Sequence, residues 1–225
     1  MQIYNDLTSI YKDDFFCDCH AGDTITVKEV DGKPKVVDVN IQVLSDIMFI
    51  KSEFLHWSSV KYFKDNQGKP AVQHDCDGIM IVHYQGEDYL VLLELKSDYT
   101  RDNIKKAEKQ LAASYFRIMH YLAPLRNFNC YACKVCGIIV SLPVDTETKR
   151  DIRKKKNVRH VLSRYEQQAE HFIKKASPYM LEDKVTCIGN LPVHPQYVIN
   201  PLPLFHIDAN PGSTTIDIYN SLKKL

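Results

Sequence analysis

Residues 75–98 read DCDGIMIVHYQGEDYLVLLELKSD, and this stretch decides the fold. Two apolar runs, GIMIVHY (78–84) and YLVLLELKS (89–97), flank the connection QGED at 85–88. Runs of this length rich in β-branched and aromatic residues, joined through a short Gly-containing loop, predict a strand pair. Carboxylates at the edge of such a core are costly unless solvated, paired or bound to metal. Antiparallel pairing carries Asp77, at the start of one run, and Glu94 and Lys96, at the end of the other, to the same end of a sheet. Alternation along a strand points Glu94 and Lys96 to the same face.

Upstream, VLSDIMFIKSEFLHWSSVKYF (43–63) places Leu44, Ile47, Met48, Phe54 and Leu55 closer to a helical than a strand period, so one helix is expected, starting at Ser45 or Asp46. Downstream, TRDNIKKAEKQLAASYFRIMHYLAPL carries Ile104, Ala107, Leu111, Ala112, Tyr115, Ile118, Met119 and Leu122 at three- and four-residue steps. That is a strong amphipathic helix closed by Pro124. The following YACKVCGIIVSLPV reads as a buried strand, and a helix between two such strands implies a crossover and parallel pairing. Further out, TITVKEVDGKPKVVDV signals a hairpin turned at Asp31-Gly32, and VLSRYEQQAEHFIKKA a helix stopped near Pro178. A second hairpin is expected in LPLFHIDANPGSTTIDIYNSL, turned at Asn210-Pro211-Gly212.

The chain has 225 residues and is 44% apolar, enough for one domain with a real core. Lys and Arg number 29 against 28 Asp and Glu, which excludes global attraction to polyanions and leaves only local basic faces. Seven irregularly spaced cysteines and an N-terminus without a charged segment ahead of an apolar one point to a reduced, cytoplasmic protein. The longest apolar stretches fall far short of a membrane span, so no membrane partner is expected.

Asp77 and Glu94 are hard oxygen ligands suited to Mg²⁺ or Mn²⁺, which take one or two protein carboxylates and fill the rest with water and phosphate. A lysine beside them can orient or help deprotonate a metal-bound water and offset charge on a phosphorane. Asp75 competes with Asp77 but lies farther from the apolar run. With Asp77-Gly78-Ile79, the hairpin, Leu92-Leu93-Glu94-Leu95-Lys96 and a helix bearing Gln110-Leu111, the chain resembles the PD-(D/E)xK nuclease superfamily, over about residues 43–142. The resemblance implies an α/β restriction-endonuclease-like fold, a mixed central sheet flanked by helices, with extensions over 1–42 and 143–225. It implies that Asp77, Glu94 and the Leu95 carbonyl hold the metal and that Lys96 positions the attacking water. The family often carries a Glu on its first core helix and a Gln on its second, for which Glu53 and Gln110 stand in suitable places. It further implies 5′-phosphate and 3′-hydroxyl products, with DNA ahead of RNA as substrate. Two departures stand out: Cys76 occupies the place of the family's Pro, and Ser114 stands where RecB-type exonuclease domains have a Tyr.

Other readings compete. Asp77, Glu94 and Lys96 could form a solvated sheet edge with a weak salt bridge on a non-catalytic scaffold. Cys130, Cys133 and Cys136, with Cys17 and Cys19 ahead of the core, have spacing compatible with zinc or an iron–sulfur cluster, although a strand would send the three thiols to different faces. The run Lys149 to Arg164 has eight Lys/Arg and one acid. Lys149, Arg150, Arg153, Lys154, Lys155, Lys156 and Arg159 are candidate phosphate contacts or else a solvated loop and helix start. The histidines are scattered, and no Ser-His-Asp arrangement is specified. With little room for a separate specificity domain, targeting would fall to a partner or a homo-oligomer.

Overall fold

The computed structural model describes residues 2–29, 34–56, 75–175, 177–182, 194 and 197–225. Helix α1 (Gln2–Ile10) precedes strands β1 (Phe16–Cys19), β2 (Thr24–Lys28), β3 (Val36–Gln42) and β4 (Ile47–Ile50), then the short helix α2 (Glu53–His56). The central hairpin is β5 (Gly78–Tyr84) and β6 (Glu87–Lys96), followed by α3 (Arg101–Leu122) and β7 (Lys134–Ser141). Helices α4 (Thr146–Asn157) and α5 (Arg164–Lys174), strands β8 (Tyr179–Leu181), β9 (Leu202–Asp208) and β10 (Gly212–Ile216), and α6 (Tyr219–Leu222) complete the chain.

A seven-stranded mixed sheet runs β1-β4-β5-β6-β7-β9-β8, and a three-stranded sheet runs β10-β3-β2. Strand alternation divides the core. Met48, Ile50, Ile79, Ile81, Leu90, Leu92 and Ile139 face α1, α2, α3 and α5. Ile47, Met80, Val82, Val91, Leu93, Ile138 and Val140 face the small sheet and α6. The mixed α/β architecture is the one expected, and elements from both extensions, β1, β8 and β9, build into the main sheet. Among the described residues no helix is long and apolar enough to cross a membrane.

The central hairpin forms, with a shorter turn than the expected QGED connection, because β6 begins at Glu87. It turns at Gln85 (φ 53°) and Gly86 (φ 83°), the paired positive φ of a tight two-residue hairpin turn. The 22-residue α3 begins at Thr100, whose hydroxyl accepts the Asn103 N–H, and returns the chain so that β7 pairs parallel to β6. Helix and sheet approach closely at Gly137, where an added Cβ would lie 3.0 Å from Leu111 and Leu204. The β2–β3 pair is antiparallel as expected, with its Asp31-Gly32 turn outside the described residues. Helix α5 starts with a reciprocal capping box between Ser163 and Glu166.

Two expectations fail. Residues 47–50 are a strand, not the first turn of a 43–63 helix; only Glu53–His56 is helical, and 57–63 lie outside the described residues. Ile47, Met48 and Ile50 are fully buried between β1 and β5, whereas Leu44, which completed the helical pattern, is 58% exposed. A four-residue apolar run satisfies either period, and the open edge of β5 decided between them. The expected C-terminal hairpin also does not form. Strand β9 pairs with β7 and β8 in the main sheet, while β10 pairs parallel to β3 in the small one. Asn210-Pro211-Gly212 carries the chain between sheets, with Gly212 at φ 87°.

Candidate active site

The register of β5 and β6 pairs Gly78 with Leu93. One step outward, Asp77 comes beside Glu94, and its Oδ2 accepts the Leu95 N–H at 2.7 Å. Leu95, whose carbonyl is the expected backbone ligand, is thereby fixed at its own nitrogen. Glu94 is fully buried, Lys96 is 7% exposed and Asp77 is half-buried, so Glu94 and Lys96 are not a solvated edge. Lys96 Nζ donates to Glu94 Oε1, while Glu94 Oε2 is buried with no hydrogen-bond partner. Burial, reinforced by the charge of Asp77 and opposed by Lys96, holds the Glu94 carboxyl well above the usual range. Burial alone would pull the Lys96 ammonium down, but Glu94 and then Asp77 carry it upward.

Gln110 lies on α3 and is buried rather than facing solvent; its Nε2 donates to the Asp75 carbonyl at 2.9 Å, and its Oε1 is buried without a partner. Asp75, the competitor to Asp77, has its carboxylate on Arg117. Glu53 opens α2 just past the end of β4, whose Ile50 pairs with Ile79, so it stands at the Asp77 end of the sheet with an exposed side chain.

Glu29 was not singled out from the sequence. It follows β2, two residues after Val27, whose Cγ2 lies 3.3 Å from where a Cβ on Gly78 would sit. At the start of β3, Lys35 donates its N–H to Ser97 Oγ at 3.0 Å and its ammonium to Asp98 at 2.7 Å. The end of this hairpin therefore reaches the site from the other face of the main sheet, and the Glu29 charge acts on both Glu94 and Lys96. No local signal marks Glu29; only the packing of one sheet on the other brings it there.

The basic run is mainly helix α4 rather than a loop. Lys155 and Lys156 pair with Glu166 and Glu170 of α5, each at 2.5 Å, and Arg150 lies 3.8 Å from Glu147. Among the described residues, Lys149, Arg153, Lys154 and Arg159 make no ion pair. Only Cys136 lies on β7, packed toward the small sheet; Cys130 and Cys133 precede the strand and pack toward the helices. Among the described residues, no three His, Cys, Asp or Glu side chains form a group able to hold a metal. A cation at this site would thus have two carboxylates, with backbone oxygen, water and substrate filling the rest. That is a Mg²⁺-like ligand set, and the orphaned Glu94 oxygen fits it.

The structure also assembles a polar chain invisible in the sequence. Ser141 pairs with Lys96 and with Asp208 across the parallel strands. Its Oγ lies 2.8 Å from His206 Nε2, His206 Nδ1 lies 3.4 Å from Asp208, and Asp208 meets Lys175 at 2.7 Å. Ser141 is not poised as a nucleophile, being fully buried and donating its hydroxyl proton to the Leu142 carbonyl at 2.8 Å. His206 is packed between Tyr99 and Phe172, and burial lowers its pKa to about 4 against the opposing charge of Asp208. A histidine depressed on folding contributes stability above its unfolded pKa of about 6.5 that is lost as pH falls toward the folded value. The expected loss is on the order of 2–3 kcal/mol between about pH 6.5 and 4. Unfolding midpoints over that range should fall less for His206→Gln than for wild type.

Compared with family models, curated proteins and solved structures, the chain matches none.

Proposed function

We propose that this protein is a divalent-metal-dependent nuclease that hydrolyses phosphodiester bonds, with DNA as substrate, along the lines of the PD-(D/E)xK enzymes it resembles. The observation that carries the reading is Glu94: a fully buried carboxylate beside Asp77, with one oxygen on Lys96 and the other unpartnered. Burying carboxylates side by side is costly, and a cation is the compensation such a pair accepts.

In this reading Asp77, Glu94 and the Leu95 carbonyl would hold Mg²⁺ or Mn²⁺, which would supply Lewis-acid activation of water and neutralise phosphate charge. Lys96, held as an ammonium by its carboxylate neighbours, orients the water and stabilises the charge that develops on the phosphorane. Gln110 steadies the approach to Asp77 through the Asp75 carbonyl. Glu53 stands at the rim. Lys149, Arg153, Lys154 and Arg159, with Arg150, Lys155 and Lys156 beside them, offer a basic face for the phosphate backbone, which makes binding fall with salt.

The test is incubation of linear, circular and single-stranded DNA, with an RNA control, in Mg²⁺, Mn²⁺ or EDTA. Cleavage that EDTA abolishes is the expected result. A folded protein that neither cuts nor binds Mn²⁺ in calorimetry would leave a nuclease-like scaffold without catalysis.

A further inference from the structure

The segment leading into Asp77 is gripped by one stripe of α3. Residues 110, 114 and 117 are spaced i, i+4, i+7 and share a helix face. On a helix that elsewhere buries apolar residues such as Leu111, Phe116 and Ile118, these three are polar and buried. Gln110 holds the Asp75 carbonyl; Ser114, fully buried, accepts the Cys76 N–H at 2.8 Å. Arg117, 3% exposed, meets the Asp75 carboxylate and donates through Nη1 to the Leu55 carbonyl at 3.4 Å. Its guanidinium, pulled down to about 10 by burial, thus spans from the segment leading to Asp77 to the helix that begins with Glu53.

Apolar side chains would pack these helix positions at no desolvation cost. Hydrogen bonds add a fixed position, which metal ligands need to within a fraction of an ångström. From the other side, Asp77 is itself tied to Leu95 N–H of β6. The 75–77 backbone is therefore clamped between α3 and β6.

Resting on the nuclease reading above, we infer that Ser114 and Arg117 are positioning residues. They set the 75–76 backbone so that Asp77 meets Glu94 in metal-binding geometry, and Arg117 ties the helix of Glu53 into the same frame. Neither touches metal or substrate.

The experiment compares full-length wild type, Ser114→Ala and Arg117→Lys for Mn²⁺ affinity by calorimetry, thermal midpoint, and kcat and KM on DNA. Outer-shell support of this kind is worth about 10–100-fold. The expected result is Mn²⁺ binding and kcat reduced about 10-fold or more, with KM for DNA within about twofold. A purely structural role would lower the midpoint and leave the affinity of the folded protein unchanged. Folded Ser114→Ala with Mn²⁺ affinity and kcat near wild type overturns the inference, and it decides alone should Arg117→Lys not fold. Wild type that binds and cuts while Ser114→Ala is unaltered removes only this inference; wild type that does neither removes the nuclease reading with it.

Discussion

Lys96→Met is expected to reduce metal-dependent cleavage by about 10³-fold while leaving Mn²⁺ binding intact or tighter. The ammonium is nearly buried and donates to Glu94, and as an unbranched chain methionine replaces its stem with little change in packing. Removing a positive charge beside Asp77 and Glu94 raises the local negative potential, so cation affinity should not fall. What disappears is the group that orients water and offsets phosphorane charge. Single-turnover cleavage and Mn²⁺ titration on the same preparation separate the two effects. Loss of both together would mean that Lys96 is needed for the site to form, and its chemical role would have to be abandoned.

The second large effect is a reversal of sign for Glu94→Gln. Burial raises the Glu94 pKa in the folded chain above its ordinary 4.5. A carboxyl raised on folding costs stability once pH climbs past the unfolded value, and the cost grows until the folded value is reached. Glutamine carries no charge in that window and keeps an oxygen for Lys96. Metal-free Glu94→Gln should therefore unfold at the same temperature as wild type or higher, with the difference widening as pH rises. Mn²⁺ affinity should fall beyond the ~10–100-fold that outer-shell changes cost. At saturating Mn²⁺ the order inverts, because binding stabilises wild type by about 2.7 kcal/mol at 100 times Kd and the variant hardly at all. Thermal scans with and without Mn²⁺ at pH 6 and 8 check both halves. A variant less stable than wild type without metal would show that the carboxylate is a structural ion-pair partner of Lys96.

Both predictions depend on a site whose main residues are legible in the sequence for a local reason. Strand alternation and a short Gly-containing turn are properties of neighbouring residues, so 75–98 by itself puts Asp77, Glu94 and Lys96 at one sheet end. The three- and four-residue steps of Ile104 to Leu122 likewise identify α3, and with it the parallel placement of β7. What is not local is ambiguous or invisible in the sequence. Residues 47–50 fit two periods, and only the open edge of β5 made them a strand. Strands β9 and β10 flank a turn signal, yet each found its partner in a different sheet. The Ser114 contact with Cys76 spans 38 residues, that between Ser141 and His206 spans 65, and Glu29 arrives only because the two sheets pack face to face. Periodicity and turn chemistry act within a few residues of the chain. The burial of Glu94, the grip on Asp77 and the charge around Lys96 come from surfaces that meet only when the layers close.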